Sequence, residues 1–182
     1  MDAYVYLRVG PGRMTDVMAG LASISQMQAV TVVGAWDVLL HAEGPDLATI
    51  ATHVISDVHQ VPGVVRTYTA PVVPPDRVGI PGWGAPDPPA IVGDACYVHI
   101  KADAGAAAGI AERLGEMSDV SGVAVLGGAY DLMACVAQPW EVASGTILER
   151  IHPLPGIVST DTLVSLVYEE PAEDRDQFSA WT

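Results

Sequence analysis

Residues 3 to 73 and 96 to 168 carry one pattern twice, and that duplication constrains the fold more than any single residue. Tyr4-Val5-Tyr6-Leu7-Arg8 is answered by Tyr97-Val98-His99-Ile100-Lys101, 93 residues later. Gly34-Ala35-Trp36-Asp37 returns as Gly128-Ala129-Tyr130-Asp131 at an offset of 94. Val61-Pro62-Gly63-Val64-Val65 returns as Leu154-Pro155-Gly156-Ile157-Val158, again at 93. A period this long exceeds that of stacking solenoid repeats, so each copy is a domain.

The chain of 182 residues therefore divides into a first unit over 1–73, a linker over 74–94, a second unit over 95–168 and a tail over 169–182. Units of this size bury too little of their own surface to stand securely alone. The two copies are expected to lean on each other.

Within the first copy, Val5, Leu7 and Val9 alternate with Tyr4, Tyr6 and Arg8, the period of a strand. Met14, Val17, Met18, Leu21 and Ile24 then recur at spacings of three and four, predicting a helix over 13–27 packed by one face. In the second copy the matching face is Ile110, Leu114 and Met117. Thr31 to Val33 and Val38 to Ala42 are strand-forming runs separated by Gly34-Ala35-Trp36-Asp37, a hairpin. A second stripe, Leu47, Ile50, Ala51, Val54, Ile55, Val58 and Val61, predicts a helix over 45–61, matched by Trp140, Ala143, Ile147, Ile151 and Leu154. Pro-Gly pairs end both helices. Val64 to Val73 and Ile157 to Tyr168 complete each copy as final strands.

Each copy thus reads β-α-β-β-α-β, the ferredoxin-like α+β plan with two helices on one face of a four-stranded antiparallel sheet. The other face carries Tyr4, Tyr6, Arg8, Leu39 and His41, and in the second copy Tyr97, His99, Lys101, Met133 and Cys135. That face is too apolar to be left in water. The linker holds six of the fourteen prolines and is long enough to fold one sheet onto the other. The predicted object is an intrachain dimeric α+β barrel.

Charge narrows the partners. With 22 acidic against 8 basic residues the net charge is −14, which opposes the phosphate neutralisation that nucleic-acid affinity needs. The acidic tail, with Phe178 and Trp181 near its end, reads as disordered and accounts for only part of the excess. No apolar run has the length of a membrane span and the N-terminus lacks a signal pattern, so a cytoplasmic location is expected. Cys96 and Cys135 match no zinc spacing, and the strand reading points them to opposite sheet faces, against a disulfide.

The two Gly-Ala-aromatic-Asp hairpins are the candidate site: Gly34, Trp36 and Asp37, with Gly128, Tyr130 and Asp131. An aspartate at a hairpin ordinarily caps the turn through a backbone N–H. A carboxylate beside an aromatic ring and exposed glycine amides also suits a zwitterion, the acid taking an ammonium and the amides a carboxylate. The histidines at 41, 53, 59, 99 and 152 share no ligand spacing on one element, so no metal is expected, nor any cofactor. Tyr6, Arg8, His41 and His99 are raw material for chemistry inside a barrel, but no nucleophile oriented by a base and a third group accompanies them. Gly10-Pro11-Gly12 lacks the lysine and length of a phosphate-binding loop.

The order of elements, the Gly-Ala-(Trp/Tyr)-Asp hairpin before an apolar strand and the helix ending in (Val/Leu)-Pro-Gly-(Val/Ile)-Val together resemble the effector-binding, or RAM, domain of Lrp/AsnC-type transcriptional regulators. The resemblance covers nearly all of both copies. It implies a dimeric α+β barrel that assembles further and binds small molecules, typically amino acids, in clefts between dimers, with the glycine-aromatic-aspartate hairpin bordering the cleft. The family's regulators carry an N-terminal helix-turn-helix, whereas this sequence opens on a strand at Ala3, so a stand-alone, non-enzymatic effector domain is expected. With two copies per chain, the family's eight-domain ring needs four chains. A helix-turn-helix paralogue is the implied regulatory partner. The alternative is a small barrel enzyme of monooxygenase or isomerase type with its site between the sheets, and a third reading is a scaffold without a ligand.

Overall fold

The computed structural model describes residues 1–25, 27–74 and 88–167. The tail over 169–182, the last residue of the expected final strand and most of the linker lie outside them. The first copy forms β1 (Asp2–Val9), α1 (Met14–Ala22), β2 (Met27–Val33), β3 (Val38–Glu43), α2 (Leu47–Ser56) and β4 (Val64–Pro71). The second forms β5 (Cys96–Ala102), α3 (Ala107–Gly115), β6 (Gly122–Val125), β7 (Leu132–Val136), α4 (Trp140–Thr146) and β8 (Ile157–Leu166).

All eight strands make one antiparallel sheet in the order β4-β1-β3-β2-β8-β5-β7-β6. The two halves join where β2 pairs β8, with Val32 opposite Ser165. At the opposite seam β4 meets β6 through the Val72–Leu126 bridge, the Val73 amide on the Val125 carbonyl (2.9 Å) and the Gly127 amide on the Pro71 carbonyl (2.8 Å). These seams are equivalent under the repeat and close the sheet into a barrel through short contacts, three residue pairs at one and a single bridge at the other.

The period-two alternation sorts side chains into an inside and an outside. Val5, Leu7, Val38 and Leu40 pack outward under α1 and α2, and Val98, Ile100, Leu132 and Ala134 do so under α3 and α4. Tyr4, Tyr6, Leu39, Tyr97, Met133 and Cys135 fill the barrel. Cys96 and Cys135 are free thiols on opposite faces, one in the outer core and one inside.

The helices are shorter than their stripes. α1 stops at Ala22 because Ser23 folds its hydroxyl back onto the Gly20 carbonyl (2.6 Å). α2 starts on Asp46, whose carboxylate accepts the Thr49 amide (2.7 Å), and breaks at Asp57, whose carboxylate turns back to His53 (2.8 Å). The stripe continues through a 3-10 turn, Val58–Gln60, so Val58 and Val61 stay buried. Ile55, counted in the stripe, sits on the solvent side and is 60% exposed. α4 widens into a π-helical turn over Ile147–Ile151, and Trp140, at its first residue, is half exposed. Gly63 and Gly156 end the helical stretches at φ of 107° and 92°. A methyl at Gly63 would sit 2.8 Å from Arg13 Cβ, and one at Gly156 would sit 2.6 Å from Ala106 Cβ, so both positions need glycine twice over.

Candidate functional site

Both aspartates of the hairpins bind the strand beside them. At the Arg8/Val9 irregularity the Val9 amide turns out of the ladder and is accepted by Asp37 Oδ2 at 2.9 Å. The Lys101/Ala102 irregularity places the Ala102 amide on Asp131 Oδ2, also at 2.9 Å. Each aspartate backbone amide in turn donates to the same neighbouring strand, Asp37 to the Leu7 carbonyl and Asp131 to the Ile100 carbonyl (2.9 Å each). One carboxylate oxygen in each hairpin is therefore a turn cap for a β-bulge. The other Asp37 oxygen faces Arg8 at 3.4 Å.

The aromatic members of the hairpins point into a shared cluster. Trp36 lies 5.9 Å from Tyr6 and 6.2 Å, nearly parallel, from Tyr68, while Tyr130 lies 5.0 Å from His99. Tyr6 and His99 join the two halves, the Tyr6 hydroxyl standing 2.7 Å from His99 Nε2. His99 lies opposite Asp161 in the β5–β8 register. A neutral imidazole donates from one nitrogen only, so in the Nδ1–H tautomer Nε2 accepts from the Tyr6 hydroxyl. Burial pushes the His99 imidazole down to about 4, against the opposing pull of Asp161. Burial also raises the Tyr6 phenol, so donor and acceptor are both neutral.

Two residues outside the hairpins complete the cluster. Tyr68 touches both: its ring stacks on Trp36 and its hydroxyl accepts the Ala129 amide at 2.6 Å. At the matching position of the second copy stands Asp161, which accepts the Tyr130 hydroxyl at 2.8 Å. Burial, then that carboxylate, pushes the Tyr130 phenol up to about 12. Arg8 and Arg66, opposite each other on β1 and β4, each place a guanidinium 5.9 Å from the Trp36 ring centroid. Neither Tyr68 nor Asp161 belongs to a short motif. The signal for them was the comparison of interior positions between copies, where tyrosine faces aspartate across the repeat.

Of the four residues considered for chemistry inside the barrel, the fold brings Tyr6 and His99 into contact and sets Arg8 at Trp36. His41 stands apart, stacked on Tyr4 with its two nitrogens facing Asp2 (3.1 Å) and Glu43 (3.9 Å). Asp2, His41 and Glu43 are the one group among the described residues with ligand atoms close enough to share an ion, but the imidazole turns a different nitrogen to each carboxylate. Toward the other end of the strands Pro89 and Val92 hold two barrel tyrosines. The Tyr4 hydroxyl donates to the Pro89 carbonyl (2.7 Å), and the Tyr97 hydroxyl accepts the Val92 amide (2.7 Å).

The fold and this cluster define a fused dimeric α+β barrel with an aromatic centre built by both hairpins. Among solved structures the chain is similar to AsnC of E. coli, at 16% identity over 68% of this chain and 70% of that one, with a TM-score of 0.37. It is also similar to FFRP-DM1 (20% identity, 37% of this chain and 92% of that one, TM-score 0.35). A third is a microcompartment protein from Desulfitobacterium hafniense (14%, 92% and 96%, 0.33). No protein-family model and no curated protein matches the sequence. Identities and scores this low leave the function to be argued from the chain's own residues. Among the described residues no helix is long and apolar enough to cross a membrane.

Proposed function

We propose that this chain is a ligand-binding protein of the Lrp/AsnC effector type. It senses a small metabolite, an amino acid in the first instance, at clefts that its hairpins form between assembled chains. It acts by binding rather than turnover and modulates helix-turn-helix regulators by co-assembly. The observation that carries the reading is the convergence of both Gly-Ala-aromatic-Asp hairpins on one aromatic cluster with arginines at its rim. Assembly is supported by a matched pair of exposed valines, Val65 (71% exposed) and Val158 (61% exposed), each on a strand whose threonine holds a histidine, His59 on Thr67 and His152 on Thr160.

The test is a thermal-shift panel of amino acids and their catabolites at millimolar concentration, run beside light scattering. A ligand at 100 times its Kd adds about 2.7 kcal/mol, worth several degrees. A selective shift and a particle of four chains are expected. A monomer at micromolar concentration removes the inter-chain cleft and the reading with it.

The competing barrel-enzyme reading has one observation in its favour, a phenol hydrogen-bonded to an imidazole between the sheets. Against it, Tyr6 and His99 are each only 1% exposed, which leaves a substrate almost no accessible surface on either. A substrate in that reading would move the His99 imidazole resonances first, whereas a hairpin ligand would move the Trp36 indole.

A further inference from the structure

The two hairpins share a sequence motif but not the same surroundings. In the second, the Ala129 amide is taken by the Tyr68 hydroxyl, which reaches across the seam from β4 and stands where a side chain on Gly128 would have to go. The residue equivalent to Tyr68 is Asp161, and it turns to Tyr130 instead of reaching the first hairpin. Among the described residues the amide of Ala35, which matches Ala129, meets no acceptor, and Ala35 is exposed.

Charge follows the same asymmetry. Around the first hairpin stand Arg8 and Arg66 against one carboxylate, Asp37. Arg66 makes no ion pair among the described residues, its contact being with the Trp36 ring. Around the second hairpin the matching positions are Lys101 and Ser159, and that hairpin holds two carboxylates, Asp131 and Asp161. An exposed amide, an unpaired guanidinium and an indole face are complementary to a carboxylate carried on a planar or apolar body. The second hairpin offers neither the free amide nor the surplus cation.

Resting on the ligand-binding reading above, we infer that each chain binds one ligand, not two. The first hairpin takes it, through the Ala35 amide, Trp36 and Arg66, and the ligand is a small aromatic or apolar carboxylate. The second hairpin, latched by Tyr68, is structural.

The experiment is an amide and indole NMR titration of the full chain with phenylacetate, L-phenylalanine and phenethylamine, on wild type and on Arg66→Ser. The two carboxylates are expected to move the Ala35 amide and the Trp36 indole with a stoichiometry of one per chain, and Arg66→Ser to weaken them at least tenfold. Phenethylamine, which lacks the carboxylate, should give no saturable shift. Equal movement at Ala129 and Tyr130, two ligands per chain, or an unchanged affinity in Arg66→Ser would overturn the inference while leaving a binding protein. Silence from these probes alongside a hit in the thermal-shift panel would overturn the ligand class. Silence in both would remove the sensor reading itself.

Discussion

The Tyr6 hydroxyl lies 2.7 Å from His99 Nε2, and the two residues occupy the same position in the two copies, 93 residues apart. A symmetric homodimer of one such unit would bring a residue against its own twin there. Two tyrosines, or two neutral histidines, lack the fixed donor-to-acceptor direction that Tyr6 and His99 have. Fusion of the copies lets one supply the donor and the other the acceptor, and the buried pair satisfies itself.

That pair makes stability depend on pH. His99 titrates near 4 in the fold against an ordinary value of 6.5, so between those values the unfolded chain holds more protons than the folded one. Its contribution is complete above 6.5 and is lost as pH falls toward 4. By pH 5 the loss is roughly 2 kcal/mol. Urea unfolding from pH 7.5 to 5 is expected to show that much more destabilisation in wild type than in His99→Asn. Parallel curves would show that His99 is not the group responsible, and direct titration of its imidazole by NMR gives the same answer should the variant fold poorly.

The hairpin aspartates carry a structural role that is separable from binding. Each accepts the amide of a bulged strand residue, Val9 or Ala102, at 2.9 Å. Removing the carboxylate leaves that amide without its partner, which costs about 1–2 kcal/mol. Asp37→Ala and Asp131→Ala should each lower unfolding midpoints in the absence of any ligand, while Asp37→Asn and Asp131→Asn, which keep an accepting oxygen, should recover most of the loss. A full loss in the Asn variants would point to charge, through Arg8 in the case of Asp37, in place of the amide bond.

The fold was legible because the copies repeat their periodicities, so the inside and outside of each strand could be assigned from alternation alone. Tyr4 and Tyr6 on one face with Val5 and Leu7 on the other required nothing further. Helix lengths were less legible, since Val58 and Val61 keep the helical spacing although the backbone has already left the α-helix at Asp57. The hairpin motif supplied the candidate site. Its asymmetry was not visible in the motif, because Tyr68 and Asp161 act across a seam whose register is set by tertiary packing.

The cysteines give a simple check on the inside and outside assignment. Cys96 lies under the helices and Cys135 in the barrel, both buried, with burial pushing the Cys96 thiol up to about 11 and raising Cys135 as well. A thiol reagent at pH 8 should leave both unmodified in the native chain and label both on unfolding, since the thiolate is the reactive form. Rapid native labelling of either would place that strand's face in solvent.

Tyr68 and Gly128 should be energetically coupled. A methyl at Gly128 would collide with the Tyr68 hydroxyl and stand 3.2 Å from the ring carbon that bears it. The Tyr68 ring has little room to retreat, packed as it is against Tyr6 and Trp36 at 5.6 and 6.2 Å. Gly128→Ala is therefore expected to cost about 1–3 kcal/mol, the range for overpacking a filled site. Tyr68→Phe removes the bond to the Ala129 amide and costs about 1 kcal/mol by itself. Because the phenylalanine also removes the atom that a methyl would strike, the double variant should lose clearly less than the two single losses added together. Strict additivity in denaturant unfolding would mean that Tyr68 does not latch the second hairpin.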